Sequence, residues 1–267
     1  MLSSAMPGSP APGGAEGLRV ENLSIIYQKT RSSAPLRAVK DVSFSVRPRE
    51  MISLIGPSGC GKSSILSALA GLVPYQGRAE INGKPIVGPA PDRAFVFQAA
   101  SLLPWRTVER NIRYGLELLH VPKKDAVAAT EKVLELIGLT RFKDMYPSQL
   151  SGGMQQRVNF ARALVGDPVM LLMDEPFAAL DAQTRERLQL EIVDIWQKSD
   201  KIGVFVTHQI DEAVFIADQV VVLSPGPESD VVKHFDIPLP RPRTPKTRSD
   251  PEFLELVTEL RRIFDLA

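Results

Sequence analysis

Residues 50–63 read EMISLIGPSGCGKS, a short apolar strand over Glu50–Ile55 that ends at Gly56 and opens into Gly56-Pro57-Ser58-Gly59-Cys60-Gly61-Lys62-Ser63. Those last eight residues satisfy G-x-x-x-x-G-K-[S/T]. Small and apolar residues from Lys62 to Leu69 then continue as a helix, which Gly71 and Pro74 end. Strand, glycine-rich loop and helix in that order form a phosphate loop. Backbone N–H groups freed by the glycines converge on phosphate oxygens, Lys62 reaches the β- and γ-phosphates, and the Ser63 hydroxyl is a ligand for Mg²⁺. The expected nucleotide contacts of this segment are Gly56, Pro57, Ser58, Gly59, Cys60, Gly61, Lys62, Ser63 and Ser64.

A second apolar strand, Val169–Asp174, ends in the carboxylate pair Asp174-Glu175 followed by Pro176. In a parallel sheet, that end meets the phosphate loop. Asp174 there orients Mg²⁺ through water, which leaves Glu175 to polarise the attacking water. His208 follows the strand Ile202–Thr207 at the same edge, where it reaches the γ-phosphate and the water, although a lone histidine is more often structural. Gln98 follows the strand Arg93–Phe97; its amide serves either Mg²⁺ and water or simply the surface.

Further along, Leu150-Ser151-Gly152-Gly153-Met154-Gln155-Gln156-Arg157 is a second glycine-rich anion cradle at the start of a helix. One nucleotide held at the phosphate loop could use it only across an interface.

The rest of the chain alternates in a way that fixes the class. Leu18–Tyr27 and Val39–Val46 are strand-like around the polar link Gln28–Pro35, and Gly77–Ile81 precedes an Asn82-Gly83 turn. Between Ala99 and Val158 the pattern is helical, with Ala126, Thr130, Val133, Leu134 and Ile137 on one face and Gly138 as a stop. Helix Leu180–Lys198, strand Ile202–Thr207, helix Ile210–Ala217 and strand Gln219–Leu223 follow, as expected of a largely parallel sheet covered by helices. This divides the chain into a tail at 1–17, a domain at 18–225 with helices inserted at about 99–158, and a proline-rich extension at 226–267. Within the extension, Asp250-Pro251 starts a helix whose stripe of Phe253, Leu256, Val257, Leu260 and Phe264 docks on the chain itself or on a partner.

Bulk composition narrows the partners. The 267 residues carry 32 Lys+Arg against 31 Asp+Glu, a net charge of +1 that supports no extensive nucleic-acid footprint. Cys60 is the only cysteine, so no intrachain disulfide or cysteine cluster forms. Residues 1–17 lack a basic start and a continuous apolar run. Val169–Met173 and Val220–Leu223 are far shorter than the roughly 20 residues that span a bilayer. Any membrane crossing belongs to another chain.

Together the phosphate loop, Gln98, Leu150–Arg157, Val169–Glu175, Ala179-Leu180-Asp181 and His208 resemble the ATP-binding cassette ATPases, in the right order over roughly residues 18–225. The resemblance implies an α/β P-loop NTPase with a RecA-like core, an antiparallel β subdomain and an inserted helical subdomain. Its implied cofactors are ATP and Mg²⁺, with Tyr27 stacking on adenine. It further implies a head-to-tail homodimer in which Ser151, Gly152, Gly153 and Gln155 of one copy face the γ-phosphate held by the other, with Asp181 at the seam. The catalytic set is then Glu175, His208, Gln98 and Lys62, and the metal set Ser63, Gln98 and Asp174.

Within the family, no sustained heptads favour a DNA-repair or chromosome ATPase, and a single phosphate loop disfavours a two-cassette translation factor. The remaining reading is the ATPase subunit of a transporter, an importer more than an exporter, peripheral on the cytoplasmic face of the inner membrane. Its partners would be integral membrane permeases and, indirectly, an extracytoplasmic solute-binding protein. Leu102-Leu103-Pro104-Trp105 stands where cassette ATPases receive a permease helix, or packs the helical subdomain. That string, Pro176–Arg185 and the short proline-rich end resemble the nitrate, sulfonate, taurine and bicarbonate importers. Gln209 departs from the acidic residue common after the histidine.

Overall fold

The computed structural model describes residues 17–28, 35–197 and 199–266. Most of the tail expected at 1–17 and most of the link Gln28–Pro35 lie outside the described residues.

Two sheets and seven α-helices build the described chain. β1 (Leu18–Tyr27), β2 (Leu36–Val46), β4 (Gln76–Ile81) and β5 (Lys84–Pro85) form an antiparallel sheet in the order β2-β1-β4-β5. β3 (Met51–Ile55), β6 (Arg93–Val96), β7 (Met170–Asp174), β8 (Ile202–Val206), β9 (Gln219–Leu223) and β10 (Val231–Asp236) form the central sheet, ordered β10-β9-β3-β8-β7-β6. Its pairings are parallel except that of β10 with β9. β3, β7 and β8 are almost entirely apolar, Ser53 and the terminal Asp174 excepted, because both faces are covered. One face shares a core with the antiparallel sheet and with α1 (Lys62–Leu69), through Ile65, Leu66, Leu172, Val204 and Leu23.

The other face packs on α4 (Gly152–Leu164), α5 (Ala182–Gln197), α6 (Ile210–Ile216) and α7 (Pro251–Leu266) through Phe160, Leu188, Trp196, Phe205, Phe215 and Leu260. A third apolar cluster joins α2 (Val108–Leu118), α3 (Lys123–Leu136) and α4, with Ala126, Val133, Leu134 and Ile137 on the expected face. Thr130 is buried with them because its hydroxyl bonds the Ala126 carbonyl one turn back, at 2.6 Å. α4 belongs to both clusters and runs past Val158 to Leu164, so the helical segment has no sharp end where the α/β pattern resumes.

Two features differ from the sequence reading. α5 starts at Ala182 rather than Leu180, because Asp181 Oδ1 accepts from Thr184 N at 3.0 Å and so caps the helix. The extension after 225 is also not merely a connector: β10 adds an antiparallel edge strand to the central sheet. Of its six residues only Phe235 is fully buried, which is why the stretch lacks a strand signature.

The extension is fastened down beyond β10. Arg243 is buried, and its Nη1 donates to the Val214, Phe215 and Ala217 carbonyls at the C-terminal end of α6. Burial, and then the charge of Arg241, pull its pKa down to about 10 against the pull of Asp218. Arg241 forms a forked pair with Asp218, whose Oδ2 accepts from Met51 N at 2.8 Å at the start of β3. The stripe of α7 turns inward, with Phe253, Val257 and Leu260 buried and Leu256 and Phe264 partly so.

Candidate functional site

The parallel strands β3, β7 and β8 bring three sequence-distant groups to one edge. β3 ends in the phosphate loop, β7 in Asp174-Glu175, and β8 in Thr207-His208. Within the loop Gly61 has φ of 90°, and a Cβ there would meet Val39 Cγ2 at 2.5 Å, so both conformation and space demand glycine. Lys62 folds its ammonium across the loop, donating to the Gly56 carbonyl at 2.8 Å and the Pro57 carbonyl at 2.9 Å. Ser63 Oγ donates to Asp174 Oδ1 at 3.1 Å, which ties the loop to β7.

Burial holds the Asp174 carboxyl above the usual carboxylate range; the Ser63 hydroxyl opposes this, Glu175 adds to it and Lys62 opposes it. A hydroxyl and a partly buried carboxylate, both hard oxygen donors within hydrogen-bonding distance, form a set that suits Mg²⁺. Glu175 has φ of 42°, and its N–H bonds the Val206 carbonyl at 2.9 Å. Its Oε2 lies 3.2 Å from His208 Nδ1. Base candidate and histidine therefore sit in direct contact at the sheet edge.

Tyr27, at the end of β1, donates its hydroxyl to Ser64 Oγ at 2.9 Å and leaves its ring partly exposed beside the start of α1. Gln98 is exposed just past β6. The backbone around it is gripped by α4: Asn159 Nδ2 donates to the Phe97 carbonyl at 3.1 Å, and Arg162 donates to the Ala100 and Ser101 carbonyls at 3.0 and 2.9 Å. Nothing in the sequence pattern marks Asn159 or Arg162.

The second cradle lies at the other end of α4. Ser151 Oγ accepts from Met154 N at 3.3 Å as the N-cap, which leaves the first N–H groups of the helix facing outward. Gly152 and Gly153 lean on the start of α5: a Cβ on Gly153 would meet Thr184 Cγ2 at 2.5 Å, and one on Gly152 would meet Leu180 Cδ2 at 3.8 Å. The same corner carries Asp181, whose carboxyl is held below its usual range by the Thr184 backbone N–H. Gln155 faces elsewhere. Its amide nitrogen donates to the Pro147 and Leu150 carbonyls at 3.0 and 3.4 Å, so it pins the turn that leads into the cradle.

Cys60 lies within the phosphate loop but is buried. A thiol in a phosphate loop is expected to react with alkylating agents at the nucleotide site, but this one is 0% exposed, and its Sγ lies 2.6 Å from where a Cβ on Gly56 would stand. The thiol is tucked beneath the loop. The β9–β10 connection closes over it, with Ser229 Oγ donating to the Cys60 carbonyl. Alkylation of the folded protein should therefore be slow with or without nucleotide and become stoichiometric in denaturant; rapid labelling of native protein would show that the loop opens.

A family model described as ABC transporter matches residues 39–178. A taurine import ATP-binding protein of Rhizobium johnstonii is 42% identical over 92% of this chain and 95% of its own length. A nitrate import ATP-binding protein of Synechococcus elongatus is 43% identical over 84% of each. Among solved structures, the ATP-binding cassette MJ0796, as a dimer in a post-hydrolysis state bound to ADP and Pi, superposes with a TM-score of 0.70 at 28% identity. It covers 82% of this chain and 98% of that one.

Proposed function

The chain belongs to the ATP-binding cassette transporter family and is an ATPase that uses ATP and Mg²⁺; from that premise we propose that it is the energising subunit of an importer for a small anion of the nitrate or sulfonate class. The observation that carries the reading is the pairing of two cradles in one chain. One has the carboxylates and histidine around it, and the other is built on Ser151 at a separate corner, against α5. Two copies arranged head to tail would place the Ser151 cradle of each against the γ-phosphate held by the other, and the dimeric state of the solved cassette supports this arrangement.

In this reading the loop N–H groups and Lys62 hold the phosphates, and Tyr27 supports adenine. Ser63, Asp174 and Gln98 would hold Mg²⁺. When bound, that ion would neutralise charge developing on the phosphate oxygens. Glu175 accepts the proton of the attacking water onto a carboxylate oxygen, and His208, 3.2 Å away, keeps that carboxylate oriented while reaching the γ-phosphate. Gln98 sits on a loop braced by α4, so motion of the Ser151 corner reaches it through Asn159 and Arg162. Asp181 contributes at the seam.

Residues 18–225 then form most of the ATPase domain, with the helices of about 99–158 facing the membrane partner and 226–267 bracing the core. Trp105 is 71% exposed and Phe97 45% exposed, next to the Gln98 loop, whereas Leu102 turns into the helical cluster. The exposed pair supports a permease-docking surface there. No helix among the described residues is long and apolar enough to cross a membrane. The relatives named as import ATP-binding proteins support a peripheral site of action on the cytoplasmic face, against permease subunits that receive cargo from a solute-binding protein.

Capture of the full-length protein from its native membranes tests this. It should bring down an integral permease, and the ATPase rate of the captured complex should rise when taurine- or nitrate-loaded binding protein is added. Retention on DNA or ribosomes with no permease captured would overturn the proposal.

A further inference from the structure

The end of β8, α5, α6 and the C-terminal extension meet behind His208. Thr207, the residue before it, donates from Oγ1 to Glu212 Oε2 at 2.7 Å and accepts from Gln209 N at 3.0 Å. Glu212 Oε1, on α6, accepts from Gln189 Nε2, on α5, at 2.9 Å. Gln189 Oε1 in turn accepts from Arg248 Nη2, on the short 3₁₀ turn Pro245–Ser249 of the C-terminal extension. Thr207, Gln189 and Glu212 are all at least nine-tenths buried, and the Arg248 guanidinium lies 4.1 Å over the Phe215 ring.

The chain of bonds has a single polarity. A carboxylate only accepts and a guanidinium only donates, so the Gln189 amide must turn its nitrogen to Glu212 and its oxygen to Arg248. Without Arg248, no other side chain among the described residues bonds the amide oxygen. It can then rotate and bring its oxygen against the Glu212 carboxylate, which loosens the bond that holds Thr207 and the segment after it.

We propose that Arg248 is a positioning residue for ATP hydrolysis, through which the C-terminal extension holds the His208 segment by way of Gln189, Glu212 and Thr207. The proposal rests on the reading of His208 as the γ-phosphate contact. The extension is built to transmit such a hold, because Arg243 grips the far end of the same α6 through three of its carbonyls. Loss of Arg248 also leaves the fold its other support. Arg185 Nη1 donates to Gln209 Oε1 at 3.0 Å, and its Nε stands 3.8 Å from Glu212, so the buried carboxylate keeps a cation nearby.

The test compares full-length wild type with Arg248→Ala, Arg248→Lys, His208→Ala and the Arg248→Ala/His208→Ala double variant. Arg248→Ala should lower kcat about tenfold with the KM for ATP changed less than about twofold, a loss of the size expected for one charge-assisted hydrogen bond. Arg248→Lys, which keeps a charged donor, should recover most of it. Amide hydrogen exchange of Arg248→Ala without nucleotide should quicken in 207–213 and stay unchanged in 56–69, a pattern that general destabilisation does not give. In the His208→Ala background, the Arg248 change should cost nothing further.

Wild-type kcat in Arg248→Ala beside an impaired His208→Ala would overturn the inference alone, as would an equal additional loss in the double variant. An unimpaired His208→Ala would instead remove the reading of His208, and the inference with it.

Discussion

Glu175→Gln should bind MgATP as wild type does yet hydrolyse it on the order of 10³-fold more slowly, the usual scale for loss of a positioned general base. The amide keeps the volume of the carboxylate, the backbone bond from residue 175 to the Val206 carbonyl and a polar contact with His208, so the site stays built while its basic oxygen is gone. ATP is then held without being consumed, and the protein should accumulate as a nucleotide-bound dimer in size-exclusion chromatography. Turnover at the wild-type rate would take the base assignment away from Glu175.

Ser151→Asp is expected to be nearly as severe, and its defect should lie in a different copy of the chain from the nucleotide it affects. Aspartate is as good an N-cap as serine, so α4 keeps its start. In the proposed dimer the new carboxylate would meet the γ-phosphate of the partner site with like charge in place of a donor, and loss of one such donor alone costs about 10²–10³ in rate. Monomer binding of ATP should be unchanged, since the phosphate loop is untouched. A parallel fall in monomer affinity would argue that the cradle works within its own chain. Gly153 is the poorer probe: any side chain there collides first with Thr184, and its effect would mix helix displacement with loss of the anion site.

The parts of the site legible in the sequence are those whose chemistry is local. A phosphate loop must carry glycine where Gly61 turns to φ of 90° and must place lysine and serine on the first turn of a helix, so eight consecutive residues suffice to find it. Asp174, Glu175 and His208 were legible for a topological reason, since parallel strands end at one edge.

Long-range contacts were not legible. β10 hides because an edge strand needs few apolar residues, and Ser224–Pro227 before it looks like an exit from the domain. Yet the β9–β10 connection braces the phosphate loop through Ser229. The direction of the Cys60 thiol, the inward turn of Gln155 and the grip of Arg162 on the Gln98 loop depend on side-chain orientation, which residue type does not encode. Arg248 and Gln189 are 59 residues apart and share no motif.

If each ATP site is completed by a second copy, mixing two inactive variants restores activity. Lys62→Ala lacks a working phosphate loop but keeps its cradle, whereas Ser151→Asp has the reverse defect. Combined in equal amounts, they should hydrolyse ATP at about a quarter of the wild-type rate per chain, because half of randomly assorted dimers are mixed and each of these holds one intact composite site. A mixture no faster than the mean of the two variants alone would show that each site forms within one chain, since such a site gains nothing from a partner.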